Sequence, residues 1–201
     1  MKTKNKFSKF LPVYALTLVG FLAFTSCNDD DAPAPVNEEE LITTITAIYT
    51  PVGGGSVVTL QYKDLDGDGP GAPVKTVSGP FEPNKTYNGV VTFRNESVSP
   101  AEDLTAEVKE EGDAHQVFYQ KTGTLNAFTY RTAASNLDKN GKPIGLESVF
   151  TTIGVAGGTL KITLKHEPNK SAAGVSSGDI TNAGGATDAE AEFAITVAGI
   201  K

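Results

Sequence analysis

Two histidines, His115 and His166, are the chain's only imidazoles, and each stands beside a carboxylate. Asp113 lies two residues before His115, and Glu167 directly follows His166. Imidazole nitrogens with carboxylate oxygens form a donor set suited to zinc or copper. That chemistry requires the fold to bring His115 and His166 together. If it does not, His166 is simply a satisfied histidine at a strand end.

A second set of oxygen donors is Asp64, Asp66 and Asp68, followed by Gly69. Three aspartates at alternate positions with glycine at the sixth resemble the first half of a calcium loop. An EF-hand needs a bidentate glutamate at the twelfth position, where this chain has Lys75. Pro70 and Pro73 also oppose a following helix. The open alternatives are a calcium-binding turn between strands and an acidic β-turn.

A third feature is acidic and expected to be helical. Ser99 suits an N-cap, Pro100 the first helical position, and Glu102 completes a capping box. Leu104 and Val108 form a narrow apolar stripe, and Gly112 suits the C′ position, so the expected helix runs from Pro100 to Glu111. Asp103, Glu107 and Glu110 or Glu111 then share a face and repel one another. Glu110 and Glu111 also sit at the negative end of the helix dipole. Such a run, ending in Asp113 and His115, suits either a cation site or a solvated acidic face.

Motifs for covalent or phosphate chemistry are missing. The sequence contains no Gly-x-Ser-x-Gly elbow and no Walker loop, and its one cysteine is Cys27. The expectation is a protein that is not an enzyme.

Short segments rich in Val, Ile, Thr, Phe and Tyr recur between turn residues and must position these groups. The expected strands are Leu41–Tyr49, Ser56–Lys63, Val74–Ser78, Thr86–Asn95 and His115–Gln120. Ala127–Thr132, Leu146–Thr152, Thr159–His166 and Ala189–Val197 complete the set. In the last strand Phe193, Ile195 and Val197 face inward, with Glu190, Glu192 and Thr196 outward. Leu146–Thr152 and Thr159–His166 are expected to pair with each other. Alternation places His166 on the face of Leu160, Ile162 and Leu164. Asp138-Lys139-Asn140-Gly141 reads as a turn. Pro168 to Thr187 reads as a long loop, functional or disordered. Nine short strands of one-sided alternation imply an all-β fold: an antiparallel β-sandwich, Ig-like or jelly-roll-like, with one short helix.

The N-terminus reads as an address. Lys2, Lys4, Lys6 and Lys9 precede an apolar run from Phe10 to Phe24, the layout of a secretory signal. The run of about 15 residues is shorter than the ~20 that span a bilayer. Thr25-Ser26-Cys27 resembles a bacterial lipobox, in which the cysteine is acylated and becomes the mature N-terminus; Phe24 stands where Leu is commonest. Ordinary cleavage leaving a free thiol is the alternative. Acyl chains at ~0.8 kcal/mol per buried CH2 would hold the protein to a membrane. Asn28 to Glu40 is acidic and Pro-bearing, as a solvated tether should be. The division is therefore 1–26 signal, 27–40 tether and 41–201 one β-sandwich domain. The aspartates after Cys27 also resemble the surface-export signal of Bacteroidetes lipoproteins, with a plain spacer as the alternative. Setting aside the four signal lysines leaves 13 basic against 24 acidic residues, a net charge of about −11. That balance argues against nucleic acid and against electrostatic lipid binding.

Several segments resemble a family of small Bacteroidetes lipoproteins often labelled "type 1 periplasmic binding fold superfamily protein". They are Tyr62 to Gly69, Asn95-Glu96-Ser97, Glu102 to Glu111, Asp113-Ala114-His115 and Leu164 to Pro168. The label implies a two-domain α/β fold larger than this chain, so the strand pattern decides the fold expectation. The resemblance also implies an outer-membrane lipoprotein, periplasmic or surface-exposed, working with a TonB-dependent receptor in nutrient or metal capture. The functional expectation is a lipid-anchored, non-enzymatic ligand-capture or receptor-accessory module. A metal-binding lipoprotein (Zn, Cu or Ca) and a structural or adhesion module are the alternatives.

Overall fold

The computed structural model describes residues 41–67 and 69–199. The signal, Cys27, the tether and Asp68 lie outside the described residues. Two antiparallel sheets face each other, as the alternating pattern requires. The larger has seven strands: β1 (Thr44–Pro51), β2 (Val58–Lys63), β3 (Val74–Val77), β4 (Thr86–Asn95), β5 (Glu102–Asp103), β7 (Phe128–Tyr130) and β8 (Glu147–Thr151). Their order is β3-β2-β1-β4-β8-β7, with β5 paired to the far end of β4. The smaller sheet runs β10-β9-β6, formed by Ala186–Val197, Ala156–His166 and His115–Lys121.

The core lies between the sheets. Ile45, Ala47 and Tyr49 of β1, with Tyr87, Val91 and Phe93 of β4, meet Leu160, Ile162 and Leu164 of β9 and Phe193, Ile195 and Val197 of β10. Aromatic rings fill its centre. Phe81 packs edge-on to Tyr49, Tyr87 and Phe150, while Phe128 stacks on Phe150 at 4.0 Å. Gly89 makes room for this arrangement: a Cβ there would lie 2.4 Å from the Tyr49 ring. All nine expected strands are present, β4 with the expected ends.

Three expectations need correction. The helix α1 spans only Thr105–Glu110, and Ser99-Pro100 is a cis peptide instead of a helix start. Glu102 and Asp103 instead pair with Asn95 and Arg94, and Asp103 Oδ1 accepts from Thr105 N. The sheet edge thus takes Glu102, which the capping box would have used. Gly112 is not in the left-handed conformation; it is close-packed, and a Cβ would lie 2.6 Å from the Ile144 side chain. β8 does not pair with β9, because the link through Gly154 (φ 64°) carries the chain from one sheet to the other.

The long loop is built rather than loose. It carries 3-10 turns at Val175–Ser177 and Ile180–Asn182, and β10 begins earlier than expected, at Ala186. Its Val175 and Ala183 pack on Phe118, which β6 turns away from the main core. Gln116 donates to the carbonyl of Val175 at 2.7 Å from the same face. Lys170 is buried beneath the loop, where its ammonium donates to Asp138 Oδ2 at 3.0 Å, Pro143 O at 3.1 Å and the carbonyl of Gly112. Asp138 also accepts from the amides of Asn140 and Lys142 in the expected turn, with Gly141 at φ 72°.

Candidate metal centre

Strand alternation puts His115 on the inner face of β6 with Val117 and Tyr119, and His166 on the inner face of β9 with Leu164 and Ile162. The two strands are antiparallel neighbours, and their register sets His115 directly opposite His166. The rings lie 4.9 Å apart between centroids, at the end of the core. His115 is 7 % exposed.

The third member comes from β10. Ala186 pairs with His166 and Thr187 with Lys165, but Leu164 pairs with Ala189, so Asp188 is the extra residue of a β-bulge. A bulge frees one residue from the alternation and re-aims its side chain. Regular pairing would have sent Asp188 outward with Glu190 and Glu192. Instead its Oδ2 stands 3.6 Å from His115 Nε2, and its Oδ1 stands 3.7 Å from His166 Nδ1. Gly185, at φ 64°, brings the chain into β10 against the His166 carbonyl; a Cβ there would lie 2.1 Å from that oxygen. The bulge and the glycine together deliver the carboxylate to the histidines.

One ligand atom from each of the three residues falls within a single sphere of contacts no wider than 4.8 Å. Tetrahedral zinc, with bonds near 2.0–2.1 Å, sets neighbouring ligand atoms about 3.3–3.4 Å apart. The 3.6 and 3.7 Å separations run to different oxygens of Asp188, and the three ligand atoms lie within 4.8 Å of one another, so binding one ion would draw the side chains closer. Both separations are longer than direct hydrogen bonds between imidazole and carboxylate. The site also has an outer layer. His115 Nδ1 lies 3.2 Å from the Glu111 carbonyl, and a carbonyl only accepts, so Nδ1 carries the proton. That leaves Nε2 as the ring atom facing Asp188, and outer-shell hydrogen bonds orient metal-bound histidines in this way. The group could hold a metal ion, and its donors fit zinc better than calcium, which takes oxygen ligands.

The expected acids lie elsewhere. Asp113 forms an ion pair with Lys139 at 2.6 Å, and the neighbouring ammonium holds its carboxyl below the usual range. Glu167 is exposed, and it contributes its backbone N–H to the Ala114 carbonyl. Its φ of 49° turns the chain away at the strand's end. The acidic residues Asp103, Glu107, Glu110 and Glu111 are exposed, so they form a solvated face. Glu111 serves the site through its backbone alone. In the aspartate turn, Asp66 Oδ2 accepts from Gly71 N at 2.8 Å, and Asp64 Oδ2 accepts from the Tyr62 hydroxyl at 3.2 Å. Asp64 and Asp66 therefore serve different local partners.

Asp188 had no sequence signal as a ligand. It follows a Gly-rich loop and, by alternation, belongs with the solvent-facing glutamates. Comparison with protein-family models, with curated proteins and with solved structures finds no match for this chain.

Proposed function

We propose that this protein captures a divalent transition-metal ion, zinc foremost, with His115, His166 and Asp188. The observation that carries the reading is the convergence of two opposed imidazoles and a bulge-directed carboxylate within 4.8 Å. Among the described residues the group offers three ligands, and a three-ligand site with an open position suits capture and hand-over better than a closed four-ligand structural site. Copper is the second metal the donor set accommodates. Thr25-Ser26-Cys27 supports placing this activity on a lipid-anchored lipoprotein of the outer membrane, periplasmic or surface-exposed. There the protein would act as a non-enzymatic capture module, passing its metal to a TonB-dependent receptor.

Calorimetric titration of the full chain in detergent with Zn2+, Cu2+ and Ca2+ tests the metal reading. One equivalent of zinc is expected to bind, with affinity lost in His115→Ala, His166→Ala and Asp188→Asn. Absence of zinc binding, or unchanged affinity in all three variants, overturns it. Membrane fractionation of Cys27→Ala tests the anchor separately: release is expected, and continued membrane association excludes a lipid on Cys27.

A further inference from the structure

Lys161 and Lys165 stand on the outer face of β9, and their ammonium groups are used differently. Lys161 reaches across to the Glu190 carboxylate of β10 at 3.1 Å, an ordinary cross-strand ion pair. Lys165 donates instead to the carbonyl of Gly185 at 2.8 Å and to the Thr187 hydroxyl at 3.1 Å. Both partners lie in the short segment that runs into Asp188. Lys165 is also the β9 residue that faces the bulge. Thr187 pairs with it, Ala189 pairs with Leu164, and Asp188 is left over between them.

The bulge competes with a regular register. Sliding the start of β10 by one residue would set Asp188 opposite Lys165 and Thr187 opposite His166. Such a slip turns every side chain to the other face. Asp188 would then point outward beside an ammonium, and Thr187 would point inward, beyond that ammonium's reach. The bond from Lys165 to the Thr187 hydroxyl therefore belongs to the bulged register, the one that aims Asp188 at His115 and His166. The bond to Gly185 acts on the same segment, at the turn where φ is 64° and β10 begins. A bulge disrupts its own ladder, so something other than strand pairing must hold it. Charge-assisted hydrogen bonds from the residue opposite supply that hold.

We infer that Lys165 is a positioning residue: through Gly185 and Thr187 it keeps β10 in the bulged register and so keeps the Asp188 carboxylate on the two histidines. Its consequence for zinc rests on the function proposed above, whereas its hold on Asp188 does not.

The test uses the full chain in detergent. With EDTA present, the imidazole nitrogen NMR resonances of His115 and His166 report the nearby Asp188 carboxylate. Lys165→Met is expected to move them toward their positions in Asp188→Asn, while Lys165→Arg, which keeps a charged donor, leaves them near the parent's. Thr187→Val removes one of the two bonds and should give a smaller displacement in the same direction. Titrated with Zn2+, Lys165→Met should bind roughly ten-fold more weakly, the lower end of what losing an outer-shell partner costs. Lys165→Arg should recover most of that loss. In an Asp188→Asn background Lys165→Met should cost nothing further, because Lys165 acts through that carboxylate. Unmoved resonances in Lys165→Met, or in Thr187→Val should Lys165→Met fail to fold, overturn the proposal. So does unchanged zinc affinity in Lys165→Met of a parent that binds zinc, or an equal loss in the Asp188→Asn background. A gain in zinc affinity also overturns it, since the lysine would then be drawing Asp188 outward. If the parent binds no zinc, the metal reading fails, and the resonances alone decide the role of Lys165.

Discussion

Two clusters of charge-bearing side chains flank the start of β6, and they are built in opposite ways. Around Lys170 every strong donor direction is used: a carboxylate and two backbone carbonyls surround the ammonium, and two turn amides complete Asp138. The side chains of this pair are 6 % and 1 % exposed. Around His115, His166 and Asp188 the nitrogen–oxygen separations are 3.6 and 3.7 Å, and Asp188 also borders an open cleft. The first cluster is closed by hydrogen bonds and can only hold the loop in place. The second could hold an ion between its members. Burial of charge alone therefore does not mark a candidate metal site; a converging set of donor atoms does.

Removing one member of the closed cluster should have the largest effect. Lys170→Met leaves Asp138 buried without its cation, and such losses cost about 3–5 kcal/mol. Urea unfolding should show this, and Lys170→Met combined with Asp138→Asn should recover part of the loss. A variant as stable as the parent would mean that the pair is not a structural lock.

The open cluster should respond in the other way. His166→Ala should lower zinc affinity by roughly 100-fold or more, since even outer-shell losses reach that scale, while urea stability falls by less than about 1 kcal/mol. If stability falls and zinc affinity does not, the two clusters have the same role and the contrast fails.

Gly185→Ala links both kinds of effect. Its methyl group must displace the His166 carbonyl or the start of β10, at a cost of about 1–3 kcal/mol. Zinc affinity should drop as well, because Asp188 moves with the strand. A drop in stability alone would show that the bulge holds its carboxylate independently of the turn.

Acid should also act on the closed cluster. Burial alone would raise the Asp138 carboxyl, but bonds from Lys142, Lys170 and Asn140 outweigh it and hold the group below its ordinary range. A depressed folded value means that this contribution is fully present above the unfolded carboxylate range, near ~3.9. It is lost as pH falls from there through the folded value. Stability measured against pH should therefore show an acid limb that flattens in the Lys170→Met, Asp138→Asn double variant. An unchanged limb would assign the acid sensitivity to other carboxylates.

The smallest effects belong to the exposed acids. Asp113→Asn and Glu167→Gln should leave zinc affinity within about two-fold and stability within about 0.5 kcal/mol, as surface changes usually do. A ten-fold loss of zinc affinity in either would return that residue to the ligand set.

Much of the architecture was legible in local pattern. Val91 and Phe93, or Phe193, Ile195 and Val197, alternate with polar neighbours, and a period of two puts each on the core side whatever strand lies beside it. The inward direction of His166 followed from the same rule through Leu160, Ile162 and Leu164. The turn at Asp138 to Gly141 was legible because its chemistry is contained within four residues. The helix was misplaced because Ser99, Pro100 and Glu102 carry a capping pattern, but Glu102 pairs in a strand edge instead. Local propensity is worth little against two paired backbone segments and a buried Leu104.

The sequence by itself determined an all-β chain with an inward-facing histidine at the end of one strand, because side-chain direction is a local property of extended backbone. It did not determine that β6 would lie beside β9 with His115 opposite His166, since register between distant strands depends on how the whole core packs. Nor did it determine Asp188. One extra residue in β10 took that carboxylate out of its alternation and aimed it at the histidines, and a bulge exists only in relation to the partner strand that lacks it.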